Sequence, residues 1–158
     1  MTFRRATPDD LEPIVQLMAR ADARSGDWVP GGEAHPLTVG SDRVRLRRRI
    51  PDEDGFSEVA EEDGRLVGFV NFEDREGVVH VSYLFVDPEF QGRGIGRELL
   101  GHAVDVARER GFPSATLVTA VANARARRFY EREGWALTGR RVFNEEIGLE
   151  MVEYSLML

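Results

Sequence analysis

Residues 81–96, Val-Ser-Tyr-Leu-Phe-Val-Asp-Pro-Glu-Phe-Gln-Gly-Arg-Gly-Ile-Gly, constrain this chain more than any other stretch. Val81 to Val86 reads as a buried strand, and Asp87-Pro88 breaks it. Gln91-Gly92-Arg93-Gly94-Ile95-Gly96 is then a glycine-rich loop opening into a helix. Such a junction aims several backbone N–H groups and the positive end of a helix dipole at one point, which suits a phosphate. Two common phosphate loops are excluded. A dinucleotide fingerprint needs a third glycine at 97 or 99, and those positions hold Arg97 and Leu99. A Walker A loop needs a lysine, and all 21 basic side chains here are arginine.

A second stretch lies some way on: Asn123-Ala124-Arg125-Ala126-Arg127-Arg128-Phe129-Tyr130-Glu131-Arg132-Glu133-Gly134-Trp135. Gln91 to Gly96 resembles the pyrophosphate loop of the GNAT superfamily of N-acetyltransferases, Gln/Arg-x-x-Gly-x-Gly/Ala. The Asn123 segment resembles that superfamily's second signature, an Asn-led helix ending in Phe-Tyr-x-x-x-Gly-Trp/Phe. The likeness covers residues 55–140 well and the N-terminal third in outline. It implies a mixed α/β fold with a twisted, mostly antiparallel sheet of about seven strands and about four helices. That sheet is expected to splay between its fourth and fifth strands, with acetyl-CoA in the V between them.

The chain's own patterning agrees with that order. Thr2 to Ala6 reads as an edge strand. Thr7 and Pro8 begin a helix carrying Leu11, Ile14, Val15, Met18 and Ala19 at helical spacing. Residues 23–40 read as a loop, and Ser41-Asp42 as the start of a second helix lasting to Pro51. Phe56 to Ala60 and Leu66 to Phe72 form a hairpin across Glu61 to Gly64, and Glu76-Gly77 turns into a strand from Val78 to Val86. An amphipathic helix from Ile95 ends at Gly111, with Pro113 beyond. Ala115 to Val121 is a buried strand. The Asn123 helix ends at Gly134, and Trp135 to Phe143 and Leu149 to Leu156 close the sheet.

A length of 158 residues fits one domain, 1–158, able to bury a core without disulfides or metal. The absence of cysteine excludes thiolate metal sites and a cysteine nucleophile. No apolar run follows the N-terminus and none is long enough to span a bilayer, so the expectation is a cytoplasmic protein without a membrane partner. A net charge of −7 argues against nucleic acid and for a neutral or cationic acceptor. The arginines at 43, 45, 47, 48 and 49 read as an exposed helix face. The resemblance adds a homodimer as an expectation.

Acetyl transfer to an amine needs a grip on the cofactor's phosphates, a donor for the developing oxyanion, loss of the ammonium proton, and a proton near the leaving thiolate. Backbone N–H groups of Arg93, Gly94, Ile95 and Gly96 supply the first, with Gln91 and Gly92 shaping the loop and Arg93 or Arg97 adding charge. By resemblance, the backbone of Leu84, Phe85 and Val86 faces the pantetheine arm and the thioester carbonyl. Tyr130 is the candidate acid: a phenol with a reference pKa near ~10 stays protonated at neutral pH. Asn123, two helical turns earlier, shares its face; by resemblance that face lines the cofactor, and otherwise Asn123 is an ordinary N-cap.

The base is open. His80 stands where many members of the superfamily carry a glutamate, and alternation puts Ser82 on the same face, a count that a bulge of the kind common in this strand of the superfamily would disturb. Glu58 and Glu73 are other candidates, as is a water chain with no side-chain base. In the 23–40 loop, Trp28 and Glu33, with Asp27, could form an amine pocket. The expected reaction is direct attack of an amine on acetyl-CoA without a metal. The acceptor is a small molecule or a peptide. The alternatives are a non-catalytic acyl-CoA sensor and a transferase for a longer acyl group.

Overall fold

The computed structural model describes residues 1–22 and 37–158. Its elements run β1 (Thr2–Arg5), α1 (Leu11–Asp22), α2 (Leu37–Arg49), β2 (Phe56–Glu62), β3 (Arg65–Arg75), β4 (Val78–Val86), α3 (Ile95–Glu109), β5 (Ser114–Ala120), α4 (Ala124–Arg132), β6 (Ala136–Asn144) and β7 (Leu149–Met157). The seven strands form one sheet in the order β1-β2-β3-β4-β5-β7-β6. Every neighbouring pair is antiparallel except β4 and β5. The mixed α/β sheet of the GNAT fold expected from the motifs is therefore present.

Strand alternation divides the core between the two faces of the sheet. On β3, Phe69 packs with Ile14, Leu17 and Leu46 of the α1–α2 layer. The next residue, Val70, belongs to the other core, with Leu99, Leu100 and Ala103 of α3. Gly68 lies directly beneath α3: a Cβ there would stand 2.8 Å from Leu99 Cδ1. Small size at that position lets the front of α3 sit close on the sheet.

The parallel pair is short. Only Val79↔Ala115 and His80↔Thr116 are in register. Beyond them the strands diverge, so the β4 edge from Val81 to Val86 has no β5 partner. The opening expected between the fourth and fifth strands is this divergence.

Two local readings need correction. Along the β3–β4 ladder Asn71 opposes Tyr83 but Phe72 opposes Val81, which leaves Ser82 as the extra residue of a bulge. Alternation counted from His80 fails past Val81, and Tyr83 turns into the α1–α2 core. Helix α2 begins at Leu37, before the expected Ser41-Asp42 start. Asp42 is no cap: its buried carboxylate accepts from the Tyr83 hydroxyl at 2.8 Å and from Arg45 at 2.7 Å. The α2 arginines are also more than a solvated face, since Arg43 pairs with Glu12 on α1 at 2.7 Å and Arg49 with Glu73 on β3 at 3.2 Å.

Candidate active site

A cleft of about 880 Å³ opens where β4 and β5 part. The end of β4 forms one wall through Leu84, Phe85 and Val86, and the glycine loop and first turn of α3 form the floor. The facing wall is α4, through Asn123, Ala126, Phe129 and Tyr130. Gln91, Gly92, Gly94, Ile95, Gly96 and Arg97 all line it. Two motifs some thirty residues apart in sequence thus meet across one space.

The loop is held from behind. Asp87, 1% exposed, closes β4, and its N–H donates to Val67 at 2.8 Å. Its carboxylate accepts from the Glu89 N–H at 2.9 Å, from Arg20 at 2.9 Å and from Arg65 at 2.8 Å. Burial opposes its ionisation, but the Glu89 N–H and the two guanidinium groups more than offset this and hold it below the usual carboxylate range. From this fixed corner the chain runs into Gly92 and Gly94, both at φ 81°. Gly94 is the N-cap of α3, a left-handed position that glycine occupies without steric cost. Among the described residues no side chain caps this helix end, which borders the cleft with its first N–H groups uncapped.

Three arginines lie at the cleft. Arg97, Arg125 and Arg132 all border the cleft, and Arg97 lies 3.4 Å from Glu133. Arg125, Phe129 and Arg132 follow at i, i+4 and i+7 on α4. That spacing is a sequence signal that had identified neither arginine as part of the site. Arg93 goes the other way: its guanidinium lies over the Phe90 ring at 4.6 Å, and 3.8 Å from Glu62. Its side chain does not line the cleft.

Tyr130 is half-buried, its ring 5.3 Å from Phe129 and 6.4 Å from Trp135 between centroids. Its hydroxyl has no hydrogen-bond partner among the described residues, and burial pushes the phenol up to about 12. Asn123 is the N-cap of α4, accepting from the Ala126 N–H at 3.1 Å, while also lining the cleft. At the other end, Gly134 (φ 92°) donates to Glu131 at 3.1 Å and Trp135 to Tyr130 at 3.0 Å, a Schellman closure that drops Trp135 into the core. This geometry is the reason for the Gly-Trp that ends the second motif.

The candidate bases lie elsewhere. His80 is 6% exposed and outside the cleft lining, with Nδ1 2.9 Å from Thr116 Oγ1. Burial, with Arg75 nearby, lowers it to about 4. Glu58 contacts His102 at 2.6 Å and Glu73 pairs with Arg49 and Arg75. Ser82 Oγ is enclosed and has no partner among the described residues. Trp28, Glu33 and Asp27 lie outside the described residues. No helix among the described residues is long and apolar enough to cross a membrane.

Among the described residues, an uncapped helix end, a strand edge without a partner strand and three arginines thus border one cleft. Residues 22–135 match the family described as Acetyltransferase (GNAT) family, and the chain belongs to it. An uncharacterised N-acetyltransferase of Methanocaldococcus jannaschii is 44% identical over 153 residues, covering 85% of this chain and 60% of that protein. Another, from Archaeoglobus fulgidus, is 36% identical over 139 residues, covering 82% of this chain and 89% of that protein. In structure the chain is similar to the PaiA N-acetyltransferase of Thermoplasma acidophilum, solved in complex with coenzyme A. The TM-score is 0.75 at 19% identity, over 96% of each chain.

Proposed function

We propose that this protein moves an acetyl group from acetyl-CoA to a primary amine, by direct attack with both substrates bound. The observation that carries this reading is the meeting on one cleft of two backbone donor sets that have no partner among the described residues. The α3 N-terminus suits a pyrophosphate, and the open β4 edge suits the pantetheine arm and thioester. Bound there, the co-substrate supplies an activated acyl group; the chain supplies placement and charge stabilisation.

The N–H groups at the end of β4 stabilise the carbonyl oxygen as it gains negative charge. A C–N bond forms, the C–S bond breaks, and the amine gives up its proton. Tyr130 donates a hydrogen bond to the departing sulfur. Its raised pKa keeps it protonated throughout the neutral range, so it serves as a donor at every working pH. His80 is not the base in this reading: a pKa of about 4 and its bond to Thr116 leave it a structural tie. The acceptor's ammonium proton passes to solvent before attack, and the second proton leaves the nitrogen as the amide forms, which favours acceptors whose amine is already partly neutral. The acceptor is a small amine or a peptide amine.

Calorimetry with acetyl-CoA, followed by thiol release with a panel of amines, tests this. The expected result is binding with amine-dependent release, and a Tyr130→Phe variant that binds normally but turns over at least tenfold more slowly. Binding without release for any amine would make the protein an acyl-CoA sensor instead. Tighter binding of longer acyl-CoA would identify a different donor.

A further inference from the structure

Helix α4 carries Tyr130 toward the cleft, yet none of its residues is fully buried. Phe129 and Tyr130 give it partial apolar contact with the α3-side core. A helix held this lightly needs another constraint to fix its rotation and its position along its axis.

That constraint is polar. Tyr154, at 0% exposure in β7, donates its hydroxyl hydrogen to Glu131 Oε1 at 2.9 Å and accepts from Arg127 Nε at 3.2 Å. Arg127 also donates to the Val121 carbonyl, just past β5, at 3.1 Å. Arg127 and Glu131 are one helical turn apart, and Tyr130 lies between them in sequence. The Tyr130 and Tyr154 rings sit 6.1 Å apart. One phenolic oxygen from β7, the strand between β5 and β6, therefore grips α4 at two successive turns.

We infer that Tyr154, acting through Arg127 and Glu131, is a positioning residue for the Tyr130 phenol. The inference rests on the reading of Tyr130 as the donor to the leaving sulfur. A reacting group displaced by about 1 Å loses up to ~100-fold in rate, so a latch fixing α4 is worth a measurable part of turnover. Acetyl-CoA affinity depends less on it: the loop before α3 builds the pyrophosphate floor, and the charges α4 adds through Arg125 and Arg132 act over several ångströms, so a shift of about 1 Å changes them little.

The test is a set of variants read by kcat and by acetyl-CoA affinity: Tyr154→Phe, Glu131→Ala and Glu131→Gln, each in the wild-type and Tyr130→Phe backgrounds. Glu131 is exposed, so its replacement does not threaten the fold. The expected result for Tyr154→Phe and Glu131→Ala is about a tenfold loss of kcat with acetyl-CoA affinity changed less than about threefold. Glu131→Gln, which keeps the acceptor oxygen, recovers most of the rate. In the Tyr130→Phe background all three have no further effect. Equal losses in both backgrounds would reduce the latch to general stability and overturn the inference. Wild-type turnover in both Tyr154→Phe and Glu131→Ala would overturn it directly. Wild-type turnover in Tyr130→Phe alone would remove the acid itself, and the inference with it.

Discussion

His80 on β4 and Thr116 on β5 face each other across the parallel pair, imidazole Nδ1 2.9 Å from the hydroxyl, at the last rung before the strands part. The pair marks where the sheet stops being a sheet and becomes a cleft. A neutral imidazole suits that place: it satisfies one hydroxyl and adds no buried charge.

Its titration should be visible in stability. The folded pKa, about 4, lies below the unfolded value near ~6.5, so the unfolded chain binds more protons between them. Stability from this group is therefore intact above pH ~6.5 and falls as pH drops toward ~4, by up to about 3 kcal/mol. Urea midpoints at several pH values should show wild type losing stability across that window. His80→Gln should be weaker at pH 7 but should lack this part of the slope. A parallel decline in the variant would assign the acid sensitivity to other groups.

The loop glycines separate by backbone demand. At Gly94 a Cβ meets nothing within 4 Å, but φ is +81°, so Gly94→Ala should cost about 1–2 kcal/mol from conformation alone. Gly96 sits in the helix, and a Cβ there would reach only Val86 at 3.4 Å and Phe129 at 3.9 Å. Gly96→Ala should leave the melting temperature unchanged or raise it slightly. It should still weaken acetyl-CoA binding severalfold if a phosphate approaches that backbone. Unchanged affinity by calorimetry would mean the ligand does not come close there.

Local chemistry made the strand-loop-helix junction and the α4 segment readable: glycines at forced φ and an asparagine cap leave signatures in neighbouring residues. Even the Gly134-Trp135 ending is a local closure. What stayed hidden depends on tertiary partners. The bulge at Ser82 is set by how β3 meets β4, so the face of His80 could not be counted past it. Asp42 resembled a helix start because a buried Tyr83–Arg45 partnership is invisible in a linear chain. Arg125 and Arg132 join the site only because β4 and the α3 loop lie opposite α4 in the fold.

Asp87 anchors the loop from behind, so its loss should act on both stability and binding. Its folded pKa is depressed, and the stability it contributes is present above the unfolded value near ~3.9 and lost as pH falls below it. Asp87→Asn keeps the shape and the Glu89 contact but removes the charge that Arg20 and Arg65 share. We expect about 2 kcal/mol lower stability at pH 7, a smaller penalty near pH 3, and a raised KM for acetyl-CoA. Chemical denaturation at the two pH values with initial-rate kinetics would check this; an equal penalty at both would contradict the ion-pair account.

Arginine placement yields the sharpest contrast. Arg125 and Arg132 border the cleft, while Arg93, inside the loop motif itself, packs on Phe90 and faces Glu62. Arg125→Gln and Arg132→Gln should each weaken acetyl-CoA binding about three- to tenfold at low ionic strength, and less at high salt, because these exposed charges are screened. Arg93→Gln should change affinity less than twofold at either. Calorimetry at two salt concentrations decides between them. If Arg93→Gln instead gives the large, salt-dependent loss, the loop cation must leave Phe90 when the ligand arrives, and binding then costs a local rearrangement that the free structure does not display.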